Sequence, residues 1–452
     1  MKIIKTAKLK ITSHNKIFND TLFIYRSALT FYIKLCEKEF NNFKDFDIQL
    51  KKRDYIEQIS HRTKNRTNIK LEYDFSIDFY KFPSFLRRSV IMEAIGIIES
   101  HYSRFDNWKK KQLKAKEKNK KFYTKPPKLN YEPISYPVLY KKNMYINKDV
   151  KTGKSQIKIY KNKDWIWIDI QYSMKNLYSS KKFRFKNYKI LSPNLIKKGK
   201  KYYLHISFEV NVKLPKEKKE LDKNYRITSV DLGFNNSAVC VCMKKDGTII
   251  DRLFINQSKE KDLLYTKVKK RNKLRRIKFL RNNQTPNKSR KINNMKKFII
   301  QDTVDKIIKF SIKNGSKTIV FEHLGKMKGK NKTMKMFHSY WNKNEIQNRT
   351  KDIAHSHGMR FSRVLARGTS SLAYDGSGEL HRNSKGDIAI FRNGKQYHSD
   401  LSASYNIGAR YFIRNIFKSL PEKARLIIQA KVPELSDRSR HTLSSLIRLQ
   451  EV

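Results

Sequence analysis

Cysteine is scarce in this sequence and badly placed for chemistry that needs sulfur. The 452 residues hold three, Cys36, Cys240 and Cys242. The number is odd and none forms a C-x-x-C pair, which excludes a disulfide framework and leaves almost no room for a cysteine-based zinc site. What remains is three small buried apolar side chains. Long apolar runs are missing too. No stretch of 18 apolar residues occurs, and the start, MKIIKTAKLKITSHNK, is positively charged but lacks the apolar segment of a signal peptide. The expectation is a chain that neither spans a membrane nor is secreted, and that stays in a DNA-accessible cytoplasm, on the nucleoid when bound. Acidic residues are the third shortage. There are 40 Asp plus Glu against 101 Lys plus Arg, a formal net charge of +61. A surface this basic repels itself unless it meets a polyanion. Nucleic acid is the partner this points to, with binding that weakens steeply as salt rises. Hydrophobic residues make up 38% and aromatic residues 12%. That is enough apolar material for real cores, so the chain is not a disordered basic tail. Its length allows roughly two to four domains.

Residues 2–12 alternate as a first strand does, and from Asn19 to Phe43 the pattern turns helical. A second helix runs from Leu86 to about Lys121 with Val90, Ile91, Ala94, Ile95 and Ile98 on its apolar face. After Trp108 it becomes almost wholly basic. Such a run is often only a solvated helix end; on this chain Lys109, Lys110 and Lys111 read as phosphate contacts. Pro126, Pro127, Pro133 and Pro137 punctuate the chain before a strand-like stretch to about Lys213: MYINK, SQIKIYK, WIWIDIQYS, YKILSP and KYYLHISFEV. These predict a β-barrel or sheet module with a helical insertion. Tyr136, Tyr140 and Tyr145 among them could stack bases, but sheet packing is the preferred reading. A charged hinge, LPKEKKELDKN, precedes a new domain near Tyr225. There, strands RITSVDLG, NSAVCVCMK and TIIDRLFI lead to a basic helix, a second helix from about Asn293 to Asn314, strand TIVFEH, a helix from Lys343 to His357, strand RFSRVLA, and a last helix from near Asp400. Three hairpin strands, a crossover helix and a fourth strand is the ribonuclease H order.

Three carboxylates stand out. Asp231 ends an apolar strand just before Leu232-Gly233, a backbone able to turn tightly. Alone, a D-x-G tripeptide is most often structural. Glu322 follows a run of apolar and β-branched residues that predicts a strand buried on both faces, an unusual place for a carboxylate that does not lead into a site. Asp400 opens DLSASYNIGARYF, where an Asp could simply cap the helix. Together the three are more specific than any one. Mutually repelling acids that converge make little structural sense without a cation, and a pair of Mg²⁺ ions needs several hard oxygen ligands in one small site, with the ions roughly 3.5–4 Å apart.

VDLGFNN, IVFEHL, GMRFSRVLARGTSSLAYDGSG and SDLSASYNIGARYF resemble the RuvC motifs of the TnpB family, transposon-encoded RNA-guided DNA endonucleases related to the compact type V CRISPR effectors. The resemblance is strong over about residues 225–415; over the first half only module order agrees. It implies an α/β multi-domain protein. Residues 1–18 and 134–222 would form a β-barrel wedge module, 19–133 a helical recognition insertion, 223–366 and 399–415 a ribonuclease H-like RuvC nuclease domain, 367–398 a target-loading insertion, and 416–452 a basic C-terminal tail. It implies Asp231, Glu322 and Asp400 as the catalytic, Mg²⁺-binding residues, with Asn406 and Arg367 as supporting residues. The basic helix near 259–283, with Lys269, Lys270, Arg271, Lys273, Arg275, Arg276 and Lys278, would lie against RNA or the heteroduplex backbone. The implied partners are a guide RNA and double- and single-stranded target DNA; monomer and homodimer both stay open. In such complexes the protein reads duplex shape and a short flanking motif, and base pairing reads sequence.

The sequence departs from the family in one place. A four-cysteine zinc ribbon is common between the T-S pair and the last Asp, but the corresponding positions hold Ala373, Gly376, Ile390 and Asn393. No zinc is expected. The turn signals Asp375-Gly376 and Asn393-Gly394 persist and predict a metal-free hairpin; His381 and His398 read as surface groups. Rival readings are a guide-dependent repressor without cleavage, a transposase or its accessory protein, and a guide-free junction or RNA nuclease. Single-strand transposition by a nucleophilic tyrosine is disfavoured because no His-hydrophobe-His motif occurs. A guide-free nuclease would need far less than the first 220 residues.

Overall fold

The computed structural model describes residues 1–13, 17–62, 71–119, 121–149, 152–173, 188–215, 224–233, 236–277, 285–324, 342–435 and 441–452. The chain is an α/β protein of two compact units, Lys2–Asn211 and Val212–Val452, the second including Met1.

In the first unit, β1 (Lys2–Lys10) is followed by helices α1 (Asn19–Lys38), α2 (Phe40–Phe43), α3 (Gln49–Ser60), α4 (Phe75–Asp78) and α5 (Ser84–Lys116). Strands β2 (Tyr145–Asp149), β3 (Lys154–Lys161), β4 (Asp164–Gln171), β5 (Lys189–Ile190), β6 (Asn194–Lys198) and β7 (Lys201–Asn211) follow. The α1 helix forms because Leu22, Tyr25, Leu29, Tyr32 and Cys36 recur at helical spacing and all are buried against α5. On β7, Tyr202, Leu204, Ile206, Phe208 and Val210 alternate into the core, which fixes its register with β1. The expected β-barrel is not closed. Among the described residues the ladders make two open sheets: β1-β7-β5 with β6 also on β7, and the meander β2-β3-β4. The two sheets meet where β1 and β4 run out, at the Ile11–Tyr172 bridge with Thr12 N–H donating to the Gln171 carbonyl and Ser173 N–H to that of Lys10; a second bridge, Val138 with Asn194, only adds a residue outside the strands to β6. Pro137 and Pro193 flank the second bridge and lack the N–H that a ladder needs.

The second unit is built on a five-stranded sheet of β8 (Arg226–Asp231), β9 (Asn236–Lys244), β10 (Ile249–Asn256), β11 (Thr318–His323) and β12 (Arg360–Leu365). The order is β10-β9-β8-β11-β12. The first three strands pair antiparallel, while β11 runs parallel to both β8 and β12. Its helices are α6 (Ser258–Arg276), α7 (Thr285–Lys313), α8 (Lys343–Ser356), α9 (Ser399–Ser419), α10 (Glu422–Lys431) and α11 (Leu443–Glu451). Helices cover both faces, so β9 is buried from Asn236 to Met243. Val239, Val241 and Met243 face α9 and α11, whereas Cys240 and Cys242 face α7. Cys36 is also buried, so all three thiols lie in core positions.

Several expectations change. The basic helix stops at Arg276; Lys278 lies outside the described residues. The 416–452 segment is not a tail. α9 continues to Ser419, and α11 returns to the sheet unit because Leu443, Leu446 and Leu449 form an apolar stripe that packs on α9. No helix among the described residues is long and apolar enough to cross a membrane.

Candidate active site

Strand alternation aims two acids at one face. On β8, Ile227 belongs to the core under α9, so Asp231, four residues on, points the same way. On β11, Val320 lies in that core and Glu322 follows it by two. The parallel ladder pairs Phe321 with Val230, which puts Glu322 one step beyond, beside Asp231 at the same sheet edge. Asp231 is 8% exposed and Glu322 6%. Asp400 comes from above, on the first turn of α9. The capping role that its position suggested belongs instead to His398, whose Nδ1 accepts the Asp400 N–H at 3.2 Å. The Asp400 carboxylate is left to face the strand ends, where its Oδ2 accepts from Asn236 Nδ2 at 3.3 Å.

Gly233 explains how Asp400 comes so close. A Cβ there would stand 2.9 Å from the Asn236 carbonyl oxygen and 3.3 Å from Asp400 Oδ2. The glycine of the D-x-G tripeptide thus supplies space between the strand and the carboxylate, and not a left-handed turn.

Burial, then the neighbouring Glu322 and Asp400 charges, push the Asp231 carboxyl well above the ordinary carboxylate range. Burial also raises Glu322, against the opposing effects of the Thr369 hydroxyl and the Arg410 guanidinium. A concentration of buried carboxylate oxygens is short of positive charge, and in kind these donors fit a hard divalent cation. In spacing they are not gathered that tightly: among the described residues no three His, Cys, Asp or Glu side chains stand at metal-holding distance.

The supporting residues divide. Asn406 is fully buried, and its Nδ2 donates to the carbonyls of Thr369 at 3.1 Å and Leu372 at 2.9 Å. The Arg367 side chain is exposed, and its carbonyl accepts from Arg410 Nη1 at 2.7 Å. Three residues escaped the sequence reading. Thr369 sits in the T-S pair and its hydroxyl meets Glu322 Oε1. Arg410, ten residues after Asp400, is 4% exposed. Lys261, on the first turn of α6, donates to the Gly233 carbonyl at 3.4 Å; burial brings its pKa down to about 8, against the pull of Asp400. The basic run on α6 drew attention to charge along the helix and away from this one half-buried end.

The candidate phosphate-binding lysines and arginines are surface groups. Lys109, Lys110 and Lys111 on α5 and Lys269, Lys270, Lys273, Arg275 and Arg276 on α6 are exposed; Arg271 is half-buried against Asn272. Aromatic rings lie under some of them, Phe105 beneath Lys109 at 4.9 Å and Tyr265 beneath Lys269 at 4.4 Å. Tyr145 is fully buried, the Tyr136 hydroxyl donates to the Lys197 carbonyl at 2.8 Å, and Tyr140 packs on Phe85.

Between β12 and α9 the chain makes a small sheet of β13 (His381–Arg382), β14 (Ile388–Ile390) and β15 (Gln396–His398). Ala373, Ala389 and Phe391 form its core, with Tyr374 and Tyr397 packed edge-on against Phe391. Asn393 Nδ2 donates to Asp375 Oδ2 at 3.2 Å, tying together the two turns that contain positions 373–376 and 390–393. Gly376 and Gly394 take positive φ in those turns. The residues here do not fit zinc: no thiol is present, and aromatic rings fill the middle.

The Aq_aa04 family model matches residues 5–161. A TnpB-like protein, aq_aa05, from Aquifex aeolicus (strain VF5) is 24% identical over 239 residues, 48% of this chain and 76% of that protein. Among solved structures, a Cas12f1–sgRNA–target DNA complex matches over 90% of this chain and 98% of its own, with 18% identity and a TM-score of 0.32. CasPhi-2 (Cas12j) bound to crRNA matches over 92% and 98%, with 10% identity and a TM-score of 0.43.

Proposed function

We propose that this chain, which is similar over 48% of its length to a TnpB-like protein, is an RNA-guided, metal-dependent DNA endonuclease that hydrolyses phosphodiester bonds at a RuvC-type site. The observation that carries this reading is the approach of Asp231, Glu322 and Asp400 from two adjacent strand ends and one helix start, close enough for each neighbour to raise the Asp231 carboxyl. The sheet order β10-β9-β8-β11-β12 supports a ribonuclease H-like identity for the domain.

In this reading Asp231, Glu322 and Asp400 would hold Mg²⁺, which would supply a Lewis acid for water activation and for the charge of the leaving 3′ oxygen. The chain's own part is to supply hard oxygens from a rigid sheet edge, to keep Asp400 near through Gly233 and Asn236, and to fix Glu322 through Thr369. The exposed lysines of α5 and the lysines and arginines of α6 bind phosphates of the guide RNA and target. The strands of 1–18 and 134–222 with the 19–133 helices serve as wedge and recognition modules, and 367–398 as the target-loading insertion.

The test is to express the chain with its native downstream DNA, sequence the RNA that copurifies, and assay Mg²⁺-dependent cutting of a plasmid matched to that RNA with randomised flanks. Cutting that needs both the RNA and Asp231, shown by loss in Asp231→Ala, is the expected result. RNA-dependent binding without cutting would replace nuclease by repressor, and a particle with no RNA would overturn the guided reading.

A further inference from the structure

The Glu322 side chain is held by a neighbour that is itself held. The Thr369 hydroxyl meets Glu322 Oε1 and also lies 2.8 Å from the Ala366 carbonyl. It stands on an irregular segment, residues 366–371, between β12 and β13. Such a segment has no ladder to fix it, so something else must set where the hydroxyl sits.

That something is one face of α9. Asn406 and Arg410 are four residues apart and therefore stacked on the same side of the helix. Asn406 donates to the Thr369 and Leu372 carbonyls. Arg410 donates through Nη1 to the carbonyls of Leu365 at 2.6 Å and Arg367 at 2.7 Å, and through Nε to that of His441 at 3.2 Å. Both residues are buried. The carbonyls of Arg367 and Thr369 within the segment, and those of Leu365 and Leu372 at its two ends, are thus pinned to the helix that carries Asp400. A planar guanidinium reaching several carbonyls at once fixes direction as well as distance.

We propose that Thr369, Asn406 and Arg410 form a latch that positions Glu322 for the divalent cation, with Thr369 as the positioning residue in contact with the acid and the α9 pair as its anchor. This rests on the metal-site reading above. The latch engages Oε1 and leaves the second carboxylate oxygen for the cation. It also ties two acids together: α9 sets Asp400 directly and Glu322 through the pinned segment, so any shift of the helix moves both.

The experiment is a Mg²⁺ titration of the full chain read by melting temperature, without nucleic acid, on wild type, Glu322→Gln, Thr369→Val and Thr369→Ser. Valine keeps the shape and removes the hydroxyl; serine restores it. The expected result is stabilisation of wild type by Mg²⁺, its loss in Glu322→Gln, and a midpoint about tenfold higher in Thr369→Val. The metal-free melting temperature should fall modestly in Thr369→Val, because a buried carboxylate oxygen loses its donor, and both it and the midpoint should return in Thr369→Ser. Wild type and Thr369→Val sharing one midpoint, or Thr369→Val binding more tightly, would overturn the latch while leaving the metal site standing. A wild type as insensitive to Mg²⁺ as Glu322→Gln would overturn the metal site and the latch with it.

Discussion

At the end of β8 one carboxyl group is enclosed by a sheet edge, a helix start and two further acids. Burial favours its neutral form, and so do its neighbours. The sign of the consequence for stability follows. Asp231 has a folded pKa above its unfolded one, so its share of stability is complete below the unfolded value, about 3.9, and is lost as pH rises through the raised folded value. Asp231→Asn removes that loss. In metal-free buffer at neutral pH the variant should melt higher than wild type, and the gap should close as pH falls toward 4. Thermal melts across that range check it; a variant that melts lower at neutral pH would contradict the electrostatic account. Single residues were unevenly legible here. Strand-terminal acids show in sequence because a charge after a buried apolar run is conspicuous. Lys261 does not, because it is one lysine among many in a basic helix. Thr369 and Arg410 do not, because their roles depend on the path of an irregular segment that no periodicity encodes.

Elements with a strong apolar period were readable. TIVFEH and KYYLHISFEV differ in that one is buried on both faces and the other on alternate residues, and both patterns are visible in the letters. The α3 helix was missed because QLKKRDYIEQIS offers only Ile56 as a fully buried apolar anchor. The barrel expectation failed among the described residues for a complementary reason: strand patterns reveal faces but not whether edges join. The three-stranded hairpin sheet carries its own prediction. With Phe391 2% exposed between two tyrosine rings and the Asp375–Asn393 bond joining its turns, its folding should not depend on zinc. A zinc-selective chelator should leave the melting curve of the purified chain unchanged, with no zinc found by mass spectrometry. Phe391→Ala, which empties that core, should cost about 3–5 kcal/mol locally and show as faster hydrogen exchange in residues 373–398. Chelator-induced melting would refute it.

For the molecule as a whole the dominant fact is its net charge of +61. The exposed lysines and arginines of α5 and α6 lie on different compact units, so binding to a long polyanion should draw on both. Affinity for a duplex of any sequence should fall by about 10³-fold or more between roughly 50 and 200 mM salt, measured by fluorescence anisotropy. A flat dependence would mean that the basic surface is not the nucleic-acid surface. The overall α/β character could be read from pattern. How the strands of the first unit join could not, since long-range edge pairing leaves no local signature.

The burial of all three thiols has a practical side. Cys36, Cys240 and Cys242 are each 0% exposed, and burial raises their pKa values, so the native fold offers no thiolate to an alkylating reagent. A cysteine placed at an open position such as Tyr123, which is 84% exposed, becomes a unique chemical handle without any need to remove the natural ones. A dye or spin label attached there would report on the basic end of the first unit alone, in a chain whose core sulfur is left untouched.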